Sequence, residues 1–332
     1  MAVEANSCVV VGAGISGLLA AHELQNSGWR VTVLDKGRGV GGRMATRRAG
    51  GGTFDHGAQF FTVRGERFEK LVEEWMETGA VREWTRGFAS PDGEQSEDGH
   101  PRYRGASGMT SIPKHLARDL DVHTSERAVE VNLRAGGWEV TCESGMTASG
   151  AALLLTAPVP QSLTLAESGG FALTEEIRTQ LEGISYDPCV AVMALLDGLA
   201  AVPEPGGMQI RGEPLDWISD NQIKGISEAP GITIHAGPKW SREHYEDPDT
   251  SLASTLLSFA EEQLGGLGAR VVETSIARWR YSWVTDSHPE PCLVANEHPP
   301  LLFAGDAFGP GKVEGAALSG LAAADRLLGR DG

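Results

Sequence analysis

Cys8-Val9-Val10-Val11-Gly12-Ala13-Gly14-Ile15-Ser16-Gly17 reads as a short apolar, β-branched strand running straight into a G-x-G-x-x-G turn. Residues 18–27 continue with the apolar period of a helix, and Gly28 stands where a helix C-terminal glycine belongs. Val31-Thr32-Val33-Leu34 is a second strand candidate, and Asp35 follows it eighteen residues after Gly17. Gly12 permits the tight turn, Gly14 lets the backbone approach a pyrophosphate, and Gly17 lets the helix pack on the strand. The helix start at Ile15 and Ser16 offers free N–H groups and a positive dipole to phosphates. Asp35 is placed to accept hydrogen bonds from ribose hydroxyls. Together these predict a dinucleotide-binding unit. A glycine turn serving packing alone is the plainer alternative, and the ordered strand, helix, strand and acid count against it.

The chain of 332 residues exceeds what one core usually supports, so two domains are expected. Its composition, 41% apolar and 22% charged, is that of a globular protein, and a formal net charge of −17 argues against nucleic acid or an anionic membrane as partner. Cys8, Cys142, Cys189 and Cys292 show no C-x-x-C or zinc-like spacing, which supports neither a metal site nor a dithiol centre and fits a thiol-reduced, cytoplasmic protein. The apolar run that begins at Cys8 has no Lys or Arg before Arg30, unlike a signal peptide, and no segment reaches the roughly 20 apolar residues of a membrane helix.

Past Asp35, Lys36-Gly37-Arg38-Gly39-Val40-Gly41-Gly42-Arg43-Met44 is a second glycine cluster carrying two guanidinium groups. A nicotinamide dehydrogenase has no evident need of it. More backbone amides and a guanidinium suit FAD, whose two phosphates are held from both sides, with Lys36, Gly42, Arg43 and Met44 as the candidates; a surface loop is the alternative. This run, followed by Phe54-Asp55-His56-Gly57-Ala58-Gln59-Phe60-Phe61, resembles the flavoprotein superfamily of amine oxidases, carotenoid desaturases and renalases. The resemblance implies that Gly57, Ala58 and Gln59 pass beside the flavin ring. The side chains of Phe60 and Phe61 read as a buried aromatic strand.

Residues 66–78 carry a helical pattern with Phe68, Leu71, Val72, Trp75 and Met76 on one side. Residues 90–99 read as an exposed loop after a strand holding Trp84 and Phe88, and residues 103–109 return the chain to the first domain. A helix over 111–120, a strand over 122–124 and a three-stranded meander from Ala128 to Thr147 follow. In the resembled family the segment matching Val129 gives backbone contacts to the adenine, although a core valine would look the same. Residues 151–156 suit a buried parallel strand, and Thr156 and Pro158 lie in the T-A-P turn at which family members leave the flavin domain.

Residues 161–286 carry no second fingerprint, since Gly265-Gly266-Leu267-Gly268 follows a helical segment rather than a strand. Electrons must then reach the flavin directly from a bound substrate. The segments around Trp217 to Asn221, Ile232 to Ala236, Trp240 to Arg242 and Trp279 to Ser282 closely resemble renalases, especially bacterial ones. That resemblance makes Asn221, His235, Trp279 and Tyr281 the catalytic candidates. Each residue also has a structural reading: a strand histidine is often a satisfied core residue, and Trp240 and Arg242 could equally hold the two domains together. Leu301-Leu302-Phe303-Ala304 is a buried strand, Gly305-Asp306 turns it, and a helix over 313–328 opens with Val313, Glu314, Gly315 and Ala316. In related flavoproteins this end completes the FAD site, with Asp306 on ribityl or phosphate-side groups and the helix amides at the flavin N1/O2 edge, where the dipole favours reduction. Lys312 either adds to this field or is a solvated loop lysine.

The expected fold is α/β, with a discontinuous Rossmann-type, glutathione-reductase-like FAD domain (residues 1–64, 105–160 and 290–332) and an inserted mixed sheet (65–104 and 161–289). The renalase resemblance implies an FAD-dependent oxidase of 2- or 6-dihydro isomers of NAD(P)H that passes electrons to O2 and forms hydrogen peroxide. A small-molecule substrate and a monomeric or weakly dimeric chain are expected. The rivals are a flavin amine oxidase or desaturase, for which Lys224 and Lys239 are available, and a flavin-binding protein without turnover.

Overall fold

The computed structural model describes residues 4–91 and 95–330. Its first sheet has six strands in the spatial order Leu293–Glu297, Pro300–Phe303, Ala152–Leu155, Ser7–Val11, Arg30–Asp35 and Asp121–Thr124. All pairs are parallel except the first. Strand β1 (Ser7–Val11) lies at its centre and is buried along its whole length, which is why it is apolar at consecutive rather than alternate positions. Helix α1 (Ile15–Asn26) connects it to β2 (Arg30–Asp35), and Gly28 at φ +84° follows the helix end.

One face of this sheet is covered by α1 and the C-terminal helix Lys312–Leu327, whose Leu18, Leu24, Ala317 and Leu321 join one core. The other is covered by a three-stranded meander, whose Val131, Trp138 and Val140 pack on Val9, Leu153 and Leu155. A Cβ on Gly320 would lie 2.1 Å from the Ser16 carbonyl oxygen. Only glycine allows the C-terminal helix to press its backbone against the first turn of α1.

The second sheet has seven strands in the order Val271–Asp286, Ser185–Leu196, Gly231–Ala236, Leu215–Asp220, Gly207–Gln209, Val81–Ala89 and Gln95–Gly105. Helix Asp249–Leu264 packs Leu252, Leu256 and Ala260 on one face of it. The hairpin of β3 (Thr46–Ala49) and β4 (Gly52–Asp55) meets the opposite face, where Phe54 packs with Ala191, Met193 and Ala277. The turn that follows β4 is therefore held between the two sheets.

Several local expectations change. Residues 95–99 belong to a strand paired with Val81–Ala89, where a loop was expected. The meander continues, since its third strand is Thr147–Gly150, and the helix after Thr110 ends at Leu116. Phe60 and Phe61 are not in a strand: Phe61 makes an isolated bridge to Tyr103, and Phe60 packs on Trp84, Phe88 and Trp217. Met76 is exposed. Trp240 stacks on His244, and Arg242 pairs with Asp187, so neither bridges the two sheets. Among the described residues no helix is long and apolar enough to cross a membrane.

Candidate active site

The glycine turn after β1 adopts the geometry its residue types predict. Gly12 sits at φ +116°, and a Cβ on Gly17 would lie 2.0 Å from the Gly12 carbonyl oxygen. Thr156 Oγ1 supports the turn from the neighbouring strand by donating to the carbonyls of Val11 and Gly12 at 3.0 and 3.2 Å. A Cβ on Gly14 would meet nothing within 4 Å, so the turn's outer side is open. The second glycine loop lies against it: Gly41 N donates to the Ala13 carbonyl at 2.8 Å, and a Cβ on Gly42 would lie 3.8 Å from Gly14 Cα. Ser16, in the first turn of α1, has a buried hydroxyl without a hydrogen-bond partner. Free helix amides, an unmet hydroxyl and a cleft wall without side chains fit the diphosphate of a dinucleotide.

Asp35 ties this region together, accepting from Ala13 N at 2.7 Å and from Gly37 N at 2.6 Å. Its remaining lone pairs are free for ribose hydroxyls. Glu126 N donates to the Asp35 carbonyl and Ser125 N to the Gly37 carbonyl, which draws the next segment to the same end. Val129 lies there, is 44% exposed, and sits where strand register shifts, so it is not a core valine. Lys36 is exposed and donates to Gln161 at 2.8 Å, at the rim. Pro158 caps the helix Val159–Ala166 beside it.

Arg43 joins three distant segments. It forks onto Asp306 with contacts of 2.6 and 2.5 Å and donates to the Tyr281 carbonyl at 3.1 Å. Both carboxylate oxygens of Asp306 accept from Arg43, so Asp306 aims that guanidinium, and its remaining lone pairs are free for the cofactor contact expected of it. Gly57 wedges beneath: a Cβ there would lie 2.0 Å from the Arg43 carbonyl oxygen, to which Ala58 N donates at 2.8 Å. Met44 is buried in the core. Because a bidentate fork is not reproduced by an ammonium, Arg43→Lys should lose FAD affinity nearly as far as Arg43→Met, roughly 10-fold or more for charge-assisted bonds of about 1.5–3 kcal/mol. Titration of apoprotein with FAD, followed by flavin fluorescence, measures it; a Lys variant with the original affinity contradicts it.

At the far end, Gly305 N donates to Ser319 Oγ, and Val313, Gly315 and Ala316 are buried at the helix start. The Glu314 carboxylate accepts from the amides of Arg64 and Gly65, the latter the N-cap of helix α2 (Glu66–Glu77). Lys312 is exposed at φ +60°.

The turn after β4 carries the polar centre. Asp55 and Lys224 form a fully buried ion pair at 2.7 Å, each side chain 0% exposed. Asp55 also accepts from Thr46 Oγ1 and Met109 N. Gln59 turns its amide inward to Ser219, Lys224, His235 and backbone carbonyls. Asn221 differs from expectation: it is fully buried, donates to Thr233 Oγ1 and the Gly231 carbonyl, and accepts from Asp55 N, so it braces this turn. Trp279 is half-buried, stacks on His56 with centroids 5.1 Å apart at 11°, and donates from Nε1 to the His56 carbonyl at 2.7 Å. His56 itself is buried with Nδ1 unpartnered, and burial is the main cause that lowers its pKa to about 4. Tyr281 meets Tyr186 edge-on and contributes its carbonyl to Arg43. The structure thus gathers His235 and Trp279 at one turn and sets Tyr281 beside Arg43. It adds His56 and Asp55, which sequence reasoning did not assign, and Lys224, which it named only for the amine-oxidase rival. For His56 a signal existed, since it stands inside the quoted Asp55 to Gln59 run.

An amide-lined cleft on a parallel sheet, with a polar turn beneath a second sheet, defines a dinucleotide-binding oxidoreductase of the two-domain flavoprotein class. The model of an NAD(P)-binding Rossmann-like domain matches residues 10–75, and that of the flavin containing amine oxidoreductases matches residues 65–328. The chain belongs to the flavin-containing amine oxidoreductase family and is an FAD-dependent oxidoreductase. It is similar to renalase of Mus musculus, 26% identical over 94% of this chain and 96% of that protein. Its fold is shared with wild-type putrescine oxidase bound to putrescine (TM-score 0.71, 15% identity, 98% of this chain and 99% of the other). A fatty acid isomerase from P. acnes shares it too (TM-score 0.69, 12% identity, 96% and 98%). One scaffold carrying such different chemistries leaves the substrate to the site residues.

Proposed function

We propose that this chain is an oxidase of 2- or 6-dihydro isomers of NAD(P)H, acting in the cytoplasm. When bound, FAD would supply two-electron redox chemistry, so that NAD(P)H isomer, O2 and a proton would give NAD(P)+ and hydrogen peroxide. The diphosphate is held by Gly12, Gly14, Ile15, Ser16, Gly17, Gly42 and Arg43, the ribose by Asp35, and the flavin ring by the 57–59 turn and the amides at 314–316. Residues 1–64, 105–160 and 290–332 form the FAD domain in this reading, and the remainder roofs it.

The observation that carries the substrate choice is the state of the two candidate lysines. Amine oxidation in the resembled enzymes uses a lysine near the flavin. Here Lys224 is fully buried and paired with Asp55, while Lys239 is exposed on the helix Pro238–His244. What remains at the turn is a stacked indole and two imidazoles, His56 and His235, whose pKa values burial lowers to about 4 and about 3. An aromatic wall with neutral hydrogen-bonding groups orients a planar, electron-rich ring. Hydride departure from a dihydropyridine needs orientation rather than a base. The similarity to renalase over nearly the whole chain supports the same reading.

Anaerobic mixing of the yellow protein with 2-, 6- and 4-dihydro-NAD(P) and with a panel of amines separates the possibilities through bleaching of the oxidised flavin band. Rapid bleaching by the 2- or 6-isomer is expected. Bleaching by an amine with none by the isomers would sink the proposal, and no bleaching at all would leave a flavin-binding protein without turnover.

A further inference from the structure

Gln59 is buried, and its amide can be read atom by atom. Oε1 accepts from Ser219 Oγ at 2.9 Å and lies 3.5 Å from Lys224 Nζ, which can only donate. Nε2 donates to the carbonyls of Asp55 at 2.6 Å and Gly57 at 3.2 Å. A flipped amide would press an oxygen against two carbonyls and turn a nitrogen toward an ammonium, so one orientation is fixed from both ends.

The same Nε2 lies 3.4 Å from His235 Nε2. The two amide protons face three acceptors, so the proton toward the Gly57 carbonyl at 3.2 Å is shared with the ring atom at 3.4 Å; the amide nitrogen has no lone pair to offer, so a ring N–H cannot point at it and the ring atom is the acceptor. The ring proton then belongs on Nδ1. We propose that Gln59 is a positioning residue that locks His235 as the neutral Nδ1–H tautomer, so that this histidine shapes the site without exchanging protons with substrate. The imidazole joins the turn at Gln59 to the strand Gly231–Ala236.

The surroundings agree. Burial first, then the His56 ring and the Lys224 ammonium, keep His235 uncharged, with a pKa lowered to about 3. Asp55, the nearest anion behind Gln59, is taken up by Lys224, Thr46 and Met109. The strand partners at the level of His235, Ala191 and Trp217, carry no charge. Lys224 and Ser219 thus act through Gln59, and the buried ion pair gains a use beyond holding two loops together.

The tautomer stands apart from the identity of the substrate; only its catalytic meaning rests on the proposed function. FAD-loaded protein labelled with ¹⁵N-histidine tests it by long-range ¹H–¹⁵N correlation, with His235→Asn identifying the resonances. The expected wild-type pattern is a neutral Nδ1–H ring that stays unchanged from about pH 8 to pH 5, well above the folded pKa. Gln59→Leu should convert it to a mixture of tautomers, and Gln59→Glu, which serves if the leucine variant does not fold, should move the proton to Nε2. An Nε2–H or charged ring in wild type at neutral pH overturns the proposal, as does an unchanged tautomer in a folded Gln59 variant. A correct tautomer in a protein that oxidises no dihydropyridine would leave this inference standing while the proposed activity falls.

Discussion

Asp55→Ala is expected to lose about 3–5 kcal/mol of folding stability, because it strands an ammonium with no access to water. Lys224 and Asp55 are both 0% exposed and 2.7 Å apart. Removing the carboxylate also leaves Thr46 Oγ1 and Met109 N without the acceptor they share. Lysine cannot move out to solvent, since its head group is packed 4.8 Å from the Trp84 ring centroid. Burial already lowers the Lys224 pKa against the pull of Asp55, and without Asp55 the lysine should fold only as a neutral amine. Combining Asp55→Asn with Lys224→Met removes the charge and its partner together, and should restore most of the loss. Urea unfolding of the two proteins measures the difference; an alanine variant within about 1 kcal/mol of wild type would mean that water or another anion reaches the lysine.

That pair also marks where reading the sequence stops. The opening strand, turn, helix and acid were legible because each signal is local: an apolar run, glycines at fixed spacing, a carboxylate at a strand end. Lys224 and Asp55 are 169 residues apart, and a lysine in a turn reads as solvated until the second sheet closes over it. Residues 95–105 carry seven polar or charged side chains among eleven positions, so their pattern gives no hint of a strand; register with Val81–Ala89 decides it. Asp306 shows a second long-range pairing of this kind. Its place in the turn was foreseen, but the guanidinium that takes its carboxylate lies 263 residues earlier, and only the closed fold brings them into contact. Glycine geometry was legible for the opposite reason. Gly17 is required by backbone within its own turn, so the residue type itself announces the close approach, whereas the approach of Gly57 to Arg43 appears only in the closed fold.

Acid should destabilise the protein well before its carboxylates titrate. His56 and His235 have pKa values lowered by burial to about 4 and about 3, against about 6.5 in an unfolded chain. Above pH 6.5 or so both states leave the rings neutral, and the two histidines add no pH dependence. Below it the unfolded chain takes up two protons that the folded chain refuses, so stability falls with pH until each folded pKa is reached. Two groups at about 1.4 kcal/mol per pH unit give a loss of about 4 kcal/mol by pH 5. Asp216 and Asp220 work in the opposite sense: burial raises their pKa values, so the folded protein binds protons first and gains stability as pH falls through that range. The histidines act in the interval from about pH 6.5 to 5, where His115, whose pKa burial also lowers, adds to the fall. His56→Phe keeps a ring against Trp279 and removes one titrating group together with its unpartnered Nδ1. It should lower the slope of stability against pH in that interval by up to about half, the remainder belonging to His235 and His115, measured by urea unfolding at saturating FAD. An undiminished slope would place the acid sensitivity elsewhere, and a wild-type protein equally stable at pH 7 and pH 5 would mean that both rings accept protons in the folded state.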